Sequence, residues 1–199
     1  MKYLMICGDL EIAKYVSFLG VDTIFVDLER KGKLRRQGIG TWISDHNLET
    51  VTNLRKVSNS ELLVRIDPIC NESKFQIDEV ISRGADNIML PMIKNISEVE
   101  FFLENVNSQI KTTLLIETKE SLEILDEITD LKGVDKIYIG LNDLHLSLNQ
   151  KFMFQSLYNG ILEDISRLLN SKNIEFGFGG ISKIGHGEIK AELILSEHI

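Results

Sequence analysis

Charged side chains follow several short apolar runs of this sequence, at positions where buried strands would end. They are Asp27, Glu29, Arg65, Glu117 and Asp143. Glu117 and Asp143, from neighbouring predicted strands, suit a hard cation such as Mg²⁺, which keeps several waters and takes the rest of its shell from substrate. Such a cation would bind a 2-oxo acid through its carboxylate and keto oxygens and act as a Lewis acid on the enolate formed when a carbon–carbon bond breaks. Arg65 carries a fixed fork of donors and would stabilise the same oxyanion.

Backbone groups near the same positions are candidates for substrate contacts. The N–H groups of Asn142 and Asp143 would receive a substrate carboxylate if they open a helix. Gly179 and Gly180 would let a substrate approach the backbone, or they only turn the chain. The alternative is a purely structural role, in which the charged residues cap helices and form ion pairs.

Four histidines are available for proton transfer. His145 lies two residues after Asp143 and would exchange protons at neutral pH, or it caps or packs its helix. His186 follows the seventh predicted strand and is a weaker candidate. His46 and His198 are expected at the surface.

A basic run, Arg30-Lys31-Gly32-Lys33-Leu34-Arg35-Arg36, follows the acidic pair on the same predicted edge. The main expectation is a solvated loop. The functional alternative is recognition of an anionic substrate group such as a phosphate or a second carboxylate.

A repeated phrase indicates which elements position these residues. Gly-Val-Asp or Gly-Ala-Asp stands at 20–22, 84–86 and 133–135, each time before an apolar run. In each case the pattern predicts a helix that ends at a left-handed glycine and a strand that begins. Further apolar runs give seven predicted strands, at 3–7, 23–27, 62–66, 87–91, 113–116, 136–140 and 174–178.

Strands that alternate with helical patterns indicate an α/β fold, either a TIM-type (β/α) barrel or a doubly wound sheet. No GxGxxG turn follows the first strand, which disfavours a dinucleotide-binding sheet. A complete barrel takes about 250 residues, so the 199 residues predict a single barrel domain over 1–199 that lacks its eighth strand, either naturally short or truncated. Uncovered strand edges would favour a homo-oligomer.

Composition excludes several classes of protein. The net charge of −8 argues against non-specific nucleic-acid binding. No apolar run approaches the roughly 20 residues that a membrane helix needs, and the apolar run at residues 3–7 is too short for a signal peptide. Two cysteines, Cys7 and Cys70, provide no disulfide framework or CxxC metal site. A soluble cytoplasmic protein is expected.

Five motifs in order, between residues 20 and 144, resemble those of the HpcH/HpaI aldolase/citrate lyase family, the class II pyruvate aldolases of the phosphoenolpyruvate/pyruvate barrel superfamily. They are GVDTIFVDLE (20–29), LVR (63–65), GADNIMLPM (84–92), LIET (115–118) and IGLNDL (139–144). The resemblance implies that Glu117 and Asp143 bind the metal and that Arg65 contacts the enolate oxygen. Asp27 and Glu29 match the acidic residues after the second strand.

The resemblance also implies an activity. Members of the family cleave hydroxy-oxo acids reversibly to pyruvate and an aldehyde, or cleave hydroxyacyl thioesters. The metal would be Mg²⁺, with Mn²⁺ or Co²⁺ as alternatives. One departure concerns the acidic motif, which a histidine follows in the aldolase branch and which Arg30 follows here.

Three functions are therefore open. The first is a metal-dependent aldolase or lyase that acts on a small oxo acid. The second keeps the metal–enolate site for phosphoryl transfer or isomerisation of a phosphoenolpyruvate-like compound. The third is a degenerate barrel that binds a ligand or partner without turnover, which Arg30 and the absent eighth strand favour.

Overall fold

Seven parallel strands form one curled sheet in which each strand pairs with the next along the chain. The computed structural model describes residues 1–33, 44–180, 185 and 189–197. The strands are β1 (Leu4–Ile6), β2 (Thr23–Asp27), β3 (Glu61–Arg65), β4 (Asn87–Leu90), β5 (Lys111–Ile116), β6 (Lys136–Ile139) and β7 (Glu175–Phe178). The expectation of a barrel-like α/β fold with seven strands is confirmed, and in the described part of the chain no further strand pairs with β1 or β7.

Helices connect successive strands. They are α1 (Leu10–Phe18), α2 (Leu48–Val57), α3 (Ser73–Ser82), α4 (Ile96–Val106), α5 (Lys119–Glu123), α6 (Leu125–Asp130), α7 (Leu141–Ser147), α8 (Gln155–Tyr158), α9 (Ile161–Ser171) and α10 (Ala191–Ser196). The spacing of Ser97 and Glu100 predicts a capping box at Ser97, but this is wrong: Asn95 caps α4 by accepting from the N–H of Glu98. No helix of the described residues is both long and apolar enough to cross a membrane.

The repeated Gly-x-Asp phrase has the same role three times. Its glycines, Gly20, Gly84 and Gly133, have φ of 90°, 88° and 95°, which a residue with a Cβ adopts only with strain. Each aspartate then accepts a hydrogen bond from the backbone N–H of an adjacent chain segment: Asp22 from Tyr3 at 2.7 Å, Asp86 from Leu62 at 2.8 Å, and Asp135 from Thr112 at 2.8 Å. The phrase therefore both ends a helix and fixes the start of a neighbouring strand.

Alternation along the strands produces three layers inside the curl. The lower layer is polar and includes Glu61, whose carboxylate accepts from Lys136 Nζ at 2.9 and 3.1 Å. The middle layer is apolar and consists of Phe25, Leu63, Met89, Leu115, Leu4 and Tyr138. The upper layer, at the carboxyl ends of the strands, carries the candidate site residues. Side chains that point outward, such as Ile24 and Val64, join a larger core beneath the helices.

Candidate active site

One cavity of about 900 Å³ opens at the carboxyl ends of the strands and runs down the interior of the curl. The cavity is lined by six of the site residues predicted from sequence: Arg65, Glu117, Asn142, Asp143, Gly179 and Gly180. Arg65 comes from β3, Glu117 follows β5, and Asp143 lies in the first turn of α7 directly after β6. The parallel sheet therefore assembles these side chains at one edge, as its topology requires.

Arg65 is held by two buried carboxylates. Its Nε and Nη2 donate to the two oxygens of Asp27 at 2.9 Å each, and Nη2 lies 3.4 Å from Glu29 Oε2. The guanidinium also stands over the ring of Phe25, at 5.4 Å from the ring centroid. Burial would raise the pKa of Asp27, but hydrogen bonds and charge from Arg65 and Lys33 lower it to about 2. Asp27 and Glu29 therefore fix the position and charge of Arg65.

Lys33 belongs to the site through a contact with Asp27 that the sequence did not indicate. It is buried, and its Nζ lies 2.7 Å from Asp27 Oδ2. The solvated-loop expectation for the basic run is thus wrong at Lys33. Arg30 donates to the backbone carbonyls of Ser44 and His46. Lys31 forms an exposed ion pair with Glu72, and residues 34–36 of the run lie outside the described residues.

His46 is also buried in this region, so its expected place at the surface is wrong. Its Nδ1 accepts a hydrogen bond from the backbone N–H of Asp27 at 3.1 Å. Its ring edge packs on Gly8, where an added Cβ would stand 2.4 Å from Cδ2 and 2.5 Å from Nε2. Burial lowers the pKa of His46; the charges of Asp27 and Asp45 oppose this fall, and those of Arg30 and Lys33 add to it. A neutral imidazole therefore fixes the end of β2.

Replacing His46 by leucine is expected to cost about 1–3 kcal/mol of unfolding free energy, because the buried N–H of Asp27 loses its acceptor. His46→Gln keeps an acceptor and should retain most of this stability. The lowered pKa makes wild-type stability fall as the pH drops below about 6.5, where the unfolded chain protonates first. Both variants should lose this pH-dependent part of the unfolding free energy. Urea unfolding at pH 7.5 and 5.5 measures the change, and a His46→Gln protein with the pH dependence of wild type would contradict the role of His46.

Glu117 is almost completely buried, with 2% of its surface exposed. Its Oε1 accepts from the backbone N–H of Met92 at 3.0 Å, and its Oε2 faces Gly140, where a Cβ would stand 2.7 Å away. Burial raises the pKa of Glu117 to about 8; Arg65 opposes this rise, while Asp143 and Glu29 add to it. An acidic group in these surroundings is stabilised as a carboxylate by an added cation.

His145 lies in the same helix as Asp143, two residues further on. Because successive helical residues are about 100° apart, the two side chains leave the helix on nearly opposite sides. His145 does not line the cavity, and its Nδ1 is buried without a hydrogen-bond partner among the described residues. Its catalytic role stays a prediction. His186 and His198 lie outside the described residues.

Sequence comparison relates this arrangement to known proteins. The profile of the family described as HpcH/HpaI aldolase/citrate lyase matches residues 8–156, about three quarters of the chain. The chain belongs to this family. The match includes Asp27, Arg65, Glu117 and Asp143, and thus covers the charged part of the candidate site.

Individual members of the HpcH/HpaI family are only distantly similar. The 2-keto-3-deoxy-L-rhamnonate aldolases of Escherichia coli and Shigella boydii are 26% identical over 106 residues, a match that covers 38% of this chain and 40% of each relative. The chain thus matches only about two fifths of the length of these curated relatives.

Two solved structures share the fold. Citrate synthase SbnG is 19% identical with a TM-score of 0.73, over 99% of this chain and 81% of that one. The HpcH/HpaI aldolase from Desulfitobacterium hafniense DCB-2 is 15% identical with a TM-score of 0.72, over 98% of this chain and 83% of that one.

The HpcH/HpaI family implies a divalent metal, and the donor set here fits one. Among the described residues no group of three or more His, Cys, Asp or Glu side chains could hold an ion. The carboxylates of Glu117 and Asp143 line the same cavity and are the two donors that would hold the ion. Two oxygen donors with water and substrate completing the shell are typical of Mg²⁺. Burial, with a smaller contribution from the charge of Asp143, raises the pKa of Glu117 and makes a nearby cation favourable.

Proposed function

We propose that the chain is a metal-dependent aldolase or lyase that makes or breaks a carbon–carbon bond of a small hydroxy-oxo acid through the enolate of pyruvate. The observation that carries this proposal is the buried Glu117 beside Asp143 and Arg65 at the mouth of one cavity. Glu117 and Asp143 would hold the ion, with Mg²⁺ preferred and Mn²⁺ or Co²⁺ as alternatives. When bound, the ion supplies Lewis acidity toward the oxygens of a 2-oxo acid.

Arg65 has the second part in this proposal. Nε and Nη2 are engaged by Asp27, which leaves Nη1 as a donor without a hydrogen bond among the described residues. A guanidinium held by two buried carboxylates stays charged and needs little reorganisation when negative charge develops on a nearby enolate oxygen. Asp27 and Glu29 then act on the reaction through Arg65 and are positioning residues.

The proposal extends to the substrates, the oligomeric state and the location of the protein. Pyruvate and an aldehyde are the proposed partners, and Asn142 with Gly180 lines the cavity where the acid would lie. The exposed apolar side chains of α1, among them Phe18 at 86% exposure, favour a homo-oligomer. Two free cysteines are typical of a reducing compartment, so we propose a cytoplasmic location.

Titration with Mg²⁺ in the presence and absence of oxalate tests the proposal. Oxalate resembles the enolate of pyruvate and chelates through two oxygens, so it should tighten Mg²⁺ binding by at least roughly tenfold, about 1.4 kcal/mol. Isothermal titration calorimetry measures both affinities, and acetate is the matched control because it cannot chelate in this way. A chain that binds no Mg²⁺, or binds it equally with acetate and oxalate, is not the proposed lyase.

A further inference from the structure

Tyr138 is a polar group in the cavity that neither the family resemblance nor the sequence motifs single out. Its side chain projects from β6 into the curl and packs with Phe25, Leu63, Met89 and Leu115 in the apolar layer. Its hydroxyl forms no hydrogen bond with any part of the chain that the structure describes. Burial raises the pKa of Tyr138 to about 12, so the phenol keeps its proton at neutral pH and remains a donor.

Two glycines of the β7 segment make room for the phenol. Tyr138 pairs with Gly177, where an added Cβ would lie 3.7 Å from the ring. Gly179 is the next inward position, and a Cβ there would lie 2.6 Å from the Tyr138 hydroxyl oxygen. Any larger residue at position 179 would therefore displace the hydroxyl group. The spacing of these glycines forms a slot along β7 that the phenol fills up to the level of Gly179.

Strand register places the hydroxyl in the same layer as the acidic site. Ile116 pairs with Ile139, and Ile139 pairs with Phe178. The residues that follow, Glu117, Gly140 and Gly179, therefore stand side by side on three adjacent strands, with about 4.8 Å between neighbours. The carboxyl of Glu117 contacts the Gly140 position and the hydroxyl of Tyr138 contacts the Gly179 position. A molecule of only a few atoms can reach both groups.

We propose that the Tyr138 hydroxyl donates a hydrogen bond to a carboxylate oxygen of the bound 2-oxo acid. The inference rests on the proposed function, because it takes the acid to lie beside Glu117. It assigns Tyr138 to substrate selection. A ligand with an acceptor oxygen at this point pairs with the hydroxyl, whereas a ligand with an apolar group covers the hydroxyl and leaves it unsatisfied. Tyr138 transfers no proton in this role.

Tyr138→Phe tests the inference because it removes one oxygen atom and leaves the ring in its slot. We expect oxalate to bind the Mg²⁺-loaded variant about 10- to 100-fold more weakly than wild type, since the lost bond is to a charged acceptor. Mg²⁺ affinity without oxalate and the melting temperature should stay unchanged. Tyr158→Phe, at a tyrosine that is 73% exposed and outside the cavity, is the matched control.

The outcomes separate this inference from the proposed function. If the wild type binds oxalate with Mg²⁺ and Tyr138→Phe binds it equally well, the substrate contact is refuted and the lyase proposal stands. If the wild type binds no oxalate, both are refuted. A double-mutant cycle checks the geometry: Gly179→Ala should cost less unfolding free energy in the Tyr138→Phe background, because the closest contact, 2.6 Å to the hydroxyl oxygen, is then absent. If Gly179→Ala lowered the unfolding free energy equally in both backgrounds, the contact between the Tyr138 hydroxyl and position 179 would be refuted.

Discussion

Replacing Arg65 by methionine is expected to lower the unfolding free energy by about 3–5 kcal/mol, the usual cost of removing one partner of a buried ion pair. The variant keeps much of the apolar stem but leaves Asp27 and Glu29, each about 1% exposed, without the guanidinium between them. Lys33 still contacts Asp27 Oδ2 and the Glu29 N–H still donates to Oδ1, but no charged donor among the described residues replaces Arg65 Nε at Oδ1. The loss therefore comes from uncompensated buried charge.

The pH dependence of the unfolding free energy tests whether the buried charge of Asp27 causes this loss. The pKa of Asp27, about 2, is below its ordinary value of 3.8, so its contribution to stability is present above pH 3.8 and is lost as the pH falls through about 2. The difference between wild type and Arg65→Met should therefore narrow in acid. Urea unfolding at pH 7 and pH 3 measures this. Arg167→Met, which breaks an exposed pair with Glu163, is the control and should change stability by less than about 1 kcal/mol. An equal loss in the two variants would contradict the account.

The sequence predicts the sheet well because parallel strands are buried on both faces. Their runs are continuously apolar, and each predicted strand lies within two residues of the observed one at both ends. Helix details depend on local competition. The spacing of Leu122, Leu125 and Ile128 predicts one helix with an apolar stripe. The observed helix divides at Ile124, where φ and ψ are −103° and 12°. Nothing in the apolar spacing signals that break.

The sequence predicts only those site residues that lie in a strand or directly after one. Arg65 and Glu117 belong to or directly follow strands, so the sheet topology alone brings them to one edge. Lys33 and His46 lie between β2 and α2 and meet Asp27 through contacts across 6 and 19 residues. A loop has no periodicity from which such contacts could be inferred. In the sequence, Tyr138 is indistinguishable from the apolar residues of its strand. Only the structure shows that Gly179 leaves room for its hydroxyl.

Glu117 links stability to the proposed chemistry, and Glu117→Gln should affect them in opposite directions. In the metal-free protein the folded-state pKa of about 8 exceeds the ordinary 4.5, so the folded state retains a proton that the unfolded chain releases. Wild-type stability therefore falls as the pH rises from 4.5 to 8, and the full penalty is present above 8. Glutamine carries no charge and keeps an acceptor for the Met92 N–H. The variant should be more stable by on the order of 3 kcal/mol at pH 9 and nearly unchanged at pH 4.5.

The same variant should bind Mg²⁺ more than about 100-fold more weakly, because a neutral amide replaces one of the two carboxylates proposed to hold the ion. Thermal unfolding in EDTA at pH 4.5 and 9, with Mg²⁺ calorimetry at pH 8, measures both effects. Glu120→Gln, at an exposed position in α5, is the matched control and should change neither. Stabilisation without loss of Mg²⁺ affinity would mean that Glu117 is a strained structural acid and that the ion binds elsewhere. Loss of affinity without stabilisation would mean that the buried carboxyl pays no electrostatic penalty, and the charge argument for a cation beside Asp143 would fail.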